Sequence, residues 1–214
     1  MYLPSKLVLS IGLLILLQSC YKENDYLYNA DDILEHLIVE IENNTLVADG
    51  SSSTKITFKF PQYADPASTN LLVIASNGKF QESENDSVRV GFTKLDNTED
   101  FQIAEVNLVS TASTSDCVIR TEVLEHFRTD TVKFSNARPT SMSVNGGNFY
   151  IKNDTIQELS YSVSINSLTG VASSGQPIVL STSPVIGLLS SSNLTSGSSG
   201  GASFTYVFTD TSFV

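Results

Sequence analysis

Chemistry at neutral pH needs a base, a nucleophile or a set of metal ligands, and this chain offers few candidates for any of them. Its two histidines are His36 and His126, adjacent to Glu35 and Glu125. Neighbours at i and i+1 point to opposite faces of a strand, so neither pair is a good chelate, and solvated surface histidines are expected. Carboxylates cluster at Glu82, Glu84 and Asp86, and again at Asp96, Glu99 and Asp100. Paired carboxylates hydrolyse glycosides when about 5–10 Å apart, and carboxylate oxygens also ligate calcium. Neither cluster has the Asp-x-Asp-x-Asp-Gly loop of a calcium site. Solvated loop charge is therefore expected ahead of calcium, and calcium ahead of catalysis. The sequence has no Gly-x-Ser-x-Gly elbow and no phosphate-binding glycine loop ahead of a helix. The run Gly197-Ser198-Ser199-Gly200-Gly201 reads as a flexible loop. Cys117 falls on an apolar strand face, where a buried structural thiol is expected, because apolar surroundings raise the thiol pKa. The expectation is a protein that is not an enzyme, with no cofactor and no metal.

The elements that carry these residues are strands. Ile56, Phe58 and Phe60 share one face while Lys55, Thr57 and Lys59 share the other. Ala104, Val106 and Leu108 alternate with polar residues, as do Cys117 and Ile119, Tyr161, Val163 and Ile165, and Phe204, Tyr206 and Phe208. Half-buried antiparallel strands produce this period of two. Gly, Asn, Asp and Pro punctuate it at short spacing, which favours a β-sandwich. No long stretch has helical periodicity, although Asp31 is placed to cap a short helix through Ile33, Leu34 and Leu37. The fold class expected is all-β.

The first residues are of another kind. Lys6 precedes an apolar run from Leu7 to Leu17, and Gln18, Ser19 and Cys20 follow. This order marks a signal peptide, and the run is too short to span a bilayer, which takes roughly 20 apolar residues. The ending Leu17-Gln18-Ser19-Cys20 resembles the lipobox of bacterial lipoproteins. The resemblance implies cleavage before Cys20, acylation of that cysteine, and attachment to a membrane through the lipid. Each buried methylene contributes about 0.8 kcal/mol, so two or more chains hold firmly where one binds marginally. The polar, acidic start Tyr21-Lys22-Glu23-Asn24-Asp25 is similar to export tags that send lipoproteins to the outer face of the outer membrane in Bacteroidetes-type bacteria. With Cys20 lipidated, Cys117 has no disulfide partner within the chain.

Charge narrows the partners. The formal net charge is −11, and removing Lys6 with the leader makes the mature chain more acidic still. Nucleic acid needs a basic footprint, so this charge argues against it as a partner. Electrostatic attachment to anionic lipid is excluded on the same ground.

A weak internal repeat organises the rest. Thr45–Gly50, the Ile56 strand, Leu72–Phe80 and the Ala104 strand form one series. Tyr150–Asp154, the Tyr161 strand, Ile178–Ser183 and the Ala202 strand form another. Pro139 within Asn136-Ala137-Arg138-Pro139 interrupts pairing between them. The division expected is a signal peptide at 1–19, a lipidated tether at 20–36, a first sandwich at 37–136 and a second at 137–214. No strands follow the Ala202 series to match Cys117–Arg120 and Thr131–Phe134, which leaves the second sandwich short. Three explanations stand open: a longer natural chain, a smaller sandwich covered by a strand near Met142–Val144, or an edge that accepts a strand from another molecule.

Leu46-Val47-Ala48-Asp49-Gly50-Ser51 leading into Thr54-Lys55-Ile56-Thr57, with the later Ala75-Ser76-Asn77-Gly78-Lys79-Phe80, resembles bacterial Ig-like domains of the invasin/intimin type. The resemblance covers 37–136 and, more loosely, 137–214. It implies tandem Ig-like sandwiches acting as structural spacers or adhesins on the cell surface, facing an extracellular protein or glycan. The alternative is an accessory glycan-binding lipoprotein of an outer-membrane polysaccharide uptake system. Sugar platforms use exposed aromatics, tryptophan above all. This chain has no tryptophan, and Phe58, Phe60, Tyr161, Phe204, Tyr206 and Phe208 fall on core faces. Asp86-Ser87-Val88, Asp130-Thr131-Val132 and Asp154-Thr155-Ile156 resemble the O-glycosylation sequon of exported Bacteroidetes proteins, which would place glycans on Ser87, Thr131 and Thr155.

Overall fold

The computed structural model describes residues 34–61, 70–92, 94–95, 101–123, 126–146, 157–183 and 187–208. One helical turn at 34–36 leads into β1 (Ile38–Ile41). Then follow β2 (Thr45–Ala48), β3 (Ser53–Pro61), β4 (Asn70–Ala75), β5 (Lys79–Phe80), β6 (Ser87–Gly91), β7 (Lys94–Leu95), β8 (Phe101–Val109), β9 (Cys117–Val123) and β10 (His126–Asn136). These strands make two five-stranded sheets, one ordered β1-β3-β8-β5 with β7 also on β8, the other β2-β10-β9-β4-β6.

The alternation of apolar and polar residues decides which face of each strand is buried. Ile56, Phe58 and Phe60 on β3 and Ala104, Val106 and Leu108 on β8 are all buried. Register places Phe58 opposite Ala104 and Ile56 opposite Val106, so large side chains meet small ones. The facing sheet contributes Leu71, Val73 and Ala75 from β4, Cys117, Ile119 and Val123 from β9, and Val132 and Phe134 from β10. The N-terminal strands serve both sheets. β1 pairs antiparallel with β3, and β2 crosses over to pair parallel with β10. Arg128 fixes the entry point: its Nη1 donates to the Leu37 carbonyl at 2.9 Å, while Nε and Nη2 hold Asp130 at 3.1 and 2.9 Å. On the outer face, Lys55 pairs with Glu105 and Lys59 with Glu40, exposed pairs of a kind that contributes about 0.2–1 kcal/mol each.

The remaining strands are β11 (Ser141–Gly146), β12 (Gln157–Asn166), β13 (Pro177–Val179), β14 (Gly187–Leu189), β15 (Asn193–Thr195) and β16 (Gly201–Phe208). They form a four-stranded sheet, β11-β12-β16-β14, and a two-stranded one, β13-β15. Val163, Ile165, Ala172 and Ile178 are buried between these sheets, with Leu180, Leu194 and Ala202 packed against them. The Tyr161 and Phe204 rings are half-buried and stack at 5.4 Å, tilted by 14°. Tyr161 lies over Gly146, where a Cβ would come within 2.2 Å of its ring, and an aromatic covering a glycine in this way stabilises a sheet edge. The strand expected near Met142–Val144 is β11. It pairs with β12, but Met142 and Val144 stay 59 % and 51 % exposed.

One expectation needs correcting. The glycine-serine run at 197–201 is not a free loop. Gly197 and Gly201 are bonded through Gly197 N–H to Gly201 C=O at 2.8 Å, and the Gly200 carbonyl accepts the Ile165 amide at 2.8 Å. Gly201 opens β16 opposite Ser164. Composition marked the run as loose, while cross-strand pairing closes it into a turn.

Candidate functional site at the junction of the sandwiches

Among the described residues, His36, His126, Cys117 and the turn at 82–86 sit on separate elements. His36 lies on the first helical turn and His126 begins β10. Glu82 carries more than solvated charge: its carboxylate accepts the Asn107 amide and side-chain amide at 2.8 and 3.0 Å, fastening the β5–β6 turn to β8. Glu84 holds the left-handed position of that turn at φ 57°, and Asp86 is exposed. Asp96, Glu99 and Asp100 lie outside the described residues. Among the described residues no three His, Cys, Asp or Glu side chains are grouped to hold a metal. Cys117 is fully buried; burial pushes its thiol pKa up, against hydrogen bonds from the Asn77 and Ser76 amides. Ser87 on β6 is half-buried and Thr131 on β10 is exposed. Each precedes a buried valine, so both occupy the outer face of the sheet β2-β10-β9-β4-β6. Cys20 and Thr155 lie outside the described residues. No described helix is long and apolar enough to cross a membrane.

Polar side chains do converge where the two sandwiches meet, on Asp49. It follows β2 and is 1 % exposed. Its Oδ1 accepts the Ser51 and Ser52 amides at 2.9 and 2.7 Å and the Ser110 hydroxyl at 3.2 Å. Its Oδ2 accepts the Ser52 hydroxyl at 2.9 Å and the Thr169 hydroxyl. The Asp49 carbonyl takes the Val171 amide at 2.9 Å. Gly50, at φ 74°, turns the chain so that the next two amides face the carboxylate. Burial alone would raise the Asp49 pKa. Hydrogen bonds from Thr169, from the Ser52 and Ser51 amides and from the Ser52 hydroxyl outweigh it and hold the carboxyl well below the usual carboxylate range.

Further bonds flank this carboxylate. Ser173, fully buried, donates its hydroxyl to the Ala48 carbonyl at 2.9 Å and accepts the Ala137 amide at 2.8 Å. The Ser174 amide donates to the Ala112 carbonyl at 2.8 Å, and Gln176 Nε2 donates to Asn136 Oδ1 at 3.1 Å. Ala48, Ala112, Ala137 and Ala172 are all buried here, and their small side chains let the backbones approach. Gly170 makes the closest approach, since a Cβ there would sit 2.4 Å from the Asp49 carbonyl oxygen. Nothing in the sequence singles out Asp49 beyond its place in the stretch 46–51. The available signal was Asp-Gly-Ser-Ser, the pattern of an Asp that bonds its own following amides. Its partners Ser110 and Thr169, 61 and 120 residues away, carry no local signal.

No protein-family model matches the chain, and no curated protein sequence matches it either. Among solved structures it is similar to the Yersinia pseudotuberculosis adhesin InvE, with a TM-score of 0.45 and 11 % identity over 80 % of this chain. The match takes in 51 % of the InvE chain, so this chain spans about half of that length. It is similar also to the D0-D1 domain of intimin, with a TM-score of 0.31 and 17 % identity over 81 % of this chain and 84 % of that one. A third similar structure is domains 5-6 of the S-layer protein SbsC, with a TM-score of 0.26 and 12 % identity over 83 % of this chain and 87 % of that one.

Proposed function

We propose that this protein is a lipid-anchored module exposed on the outer membrane, whose tandem Ig-like sandwiches act as a structural spacer or adhesin. The observation that carries the reading is the junction. A buried carboxylate and its neighbours bond one sandwich to the other. The lipobox-like Leu17-Gln18-Ser19-Cys20 supports the anchor. A spacer must transmit position between its ends, and a bonded junction serves that purpose better than a free linker. Ser87 and Thr131, on one outer sheet face, are the glycan-bearing positions within this reading.

The test has two arms. Cys20→Ala should abolish incorporation of a clickable palmitate analogue and release the protein from the membrane fraction; unchanged labelling would refute the anchor. The soluble fragment 21–214 should bind cells in an adhesion assay and show no turnover on polysaccharide, peptide or ester panels. Turnover lost on mutation of Glu82, Glu84, Asp86 or Asp100 would refute the non-enzymatic part.

A second reading, an accessory glycan-binding lipoprotein, has one observation in its favour. A shallow depression of about 860 Å³ on the second sandwich is lined by Asn145, Ser160, Ser162, Ser190, Ser203 and Thr205 and by the stacked rings of Tyr161 and Phe204, all uncharged. Such a surface offers hydroxyl and amide partners to a neutral sugar. A glycan array on the same fragment separates the two readings: a Thr205-dependent glycan hit favours this one, and cell binding without one favours the first.

A further inference from the structure

We propose that Asp49 and Thr169 form a latch that locks the two sandwiches into a single rigid body, which deepens the spacer reading above by stating how position is transmitted. Small polar interfaces between domains ordinarily permit relative motion, and this one is built from serines, alanines and glycines. The motion is opposed by where the bonds fall. Two attachment points between rigid bodies leave a hinge axis, and a third point off that axis removes it.

Three attachments are present. The first is the covalent passage after Asn136, backed by the Ser173 bonds to Ala137. The second is Asp49, with Thr169 and Val171 bonded to it. Asn136 and Ala48 are register partners in one sheet, so these two lie side by side. The third is the Ser174 amide on the Ala112 carbonyl. Ala112 follows β8, which belongs to the facing sheet. The three points therefore do not share a line.

Asp49 is the element that joins them. Ser51, Ser52 and Ser110 position its carboxylate from within the first sandwich, so the acceptor is organised before the second sandwich docks. The Ser110 hydroxyl comes from the chain just after β8, which ties the facing sheet to the same carboxylate. What the second sandwich contributes is one hydroxyl and one turn: Thr169 fills Oδ2 and its carbonyl accepts the Ser51 hydroxyl at 2.8 Å, while Gly170 lets the turn lie on the Asp49 carbonyl. A buried charge loses more from a missing donor than an exposed one does. An apolar side chain at 169 is therefore expected to undock the turn rather than leave Oδ2 facing it.

The test is backbone 15N relaxation on the soluble mature chain, residues 21–214. In wild type, both sandwiches should tumble with one correlation time. Thr169→Val removes the donor at an exposed turn position without touching the first sandwich, and Gly170→Ala wedges the turn off the Asp49 carbonyl. In both variants the amide shifts of β3, β8 and β9 should stay in place, which shows that the first sandwich is folded. The correlation time of β12 and β16 should fall below that of β3 and β8. Two correlation times already in wild type, or a single one kept in both variants, overturns the latch. No ligand enters this experiment. A missing adhesion partner therefore bears on the spacer-or-adhesin reading alone, and an unchanged Thr169→Val bears on the latch alone.

Discussion

The two sandwiches are written in the same alternating code and bury very different cores. In the first, 19 of the described hydrophobic residues form one buried cluster between two five-stranded sheets. In the second, four of the described residues form the buried cluster, between a four-stranded sheet and a two-stranded one. The strands themselves do not explain this. Tyr161, Val163 and Ile165 alternate as cleanly as Ile56, Phe58 and Phe60. The difference lies in the opposing layer. Phe58 and Phe60 meet a full facing sheet and are at most 1 % exposed. Met142 and Val144, on the edge strand β11, stay largely exposed. Alternation says which side chains point inward, and only the partner layer says whether water is excluded there.

Breaking the larger core should cost most. Phe58→Ala removes a fully buried ring opposite Ala104, where no neighbour can grow to fill the space. A loss of about 3–5 kcal/mol is expected from such a truncation. Urea unfolding monitored by Cys117 reactivity reads it directly, because that thiol is fully buried in the same cluster. A loss below about 1 kcal/mol, outside the range for buried aromatic truncations, would mean that the first core is not the closely packed unit described.

The matching truncation in the smaller core should cost less and stay local. Ile165→Ala truncates a residue of the described buried cluster. With solvent close by at Tyr161 and Phe204, about 2 kcal/mol is expected, the low end for an isoleucine truncation. Hydrogen exchange should show protection lost in β11, β12 and β16 and kept in β3 and β8. Equal loss in both sandwiches would show that they unfold as one cooperative unit, and the contrast between their cores would then have no consequence for stability.

Legibility in the sequence follows the same division. The inward faces of β3, β8, β9, β12 and β16 were legible because a period of two needs only neighbouring residues to be seen. The end of β10 at Asn136 was legible through Pro139. The crossing of β2 to pair parallel with β10 was not, since Leu46 and Ala48 alternate identically whichever sheet they join. The junction was legible in part. Asp49-Gly50-Ser51-Ser52 announces a turn, but Ser110 and Thr169 are ordinary hydroxyls in a chain rich in them. Only the fold brings them to one carboxylate. The glycine-serine run at 197–201 misled for the converse reason, because composition implied freedom where the Ile165 amide imposes a fixed partner.

Acid offers the gentlest probe, and it acts between the two regions rather than within either. Five hydrogen bonds reach the Asp49 carboxylate, from the Ser51 and Ser52 amides and the Ser52, Ser110 and Thr169 hydroxyls. Those from Thr169, from the Ser52 and Ser51 amides and from the Ser52 hydroxyl favour the charged form strongly enough to set its pKa well below the ordinary value despite burial. In the unfolded chain an aspartate titrates near about 3.9. Above that value both states are ionised, and the bonds contribute fully to stability. Below it the unfolded chain takes up a proton that the folded chain resists, so the contribution is lost as pH falls towards the folded pKa. Other carboxylates titrate over the same range, which makes the informative quantity the stability difference between wild type and Asp49→Asn. From urea unfolding at a series of pH values, that difference should be level between about pH 7 and 5 and shrink below about pH 4. Thr169→Val should shift the folded pKa back towards the ordinary value, so its difference from Asp49→Asn should shrink less over the same range. A wild-type difference that stays level to about pH 2, or grows as pH falls, would mean that the folded pKa is not depressed. The junction would then be held by the backbone bonds of Val171 and Ser174 rather than by the carboxylate.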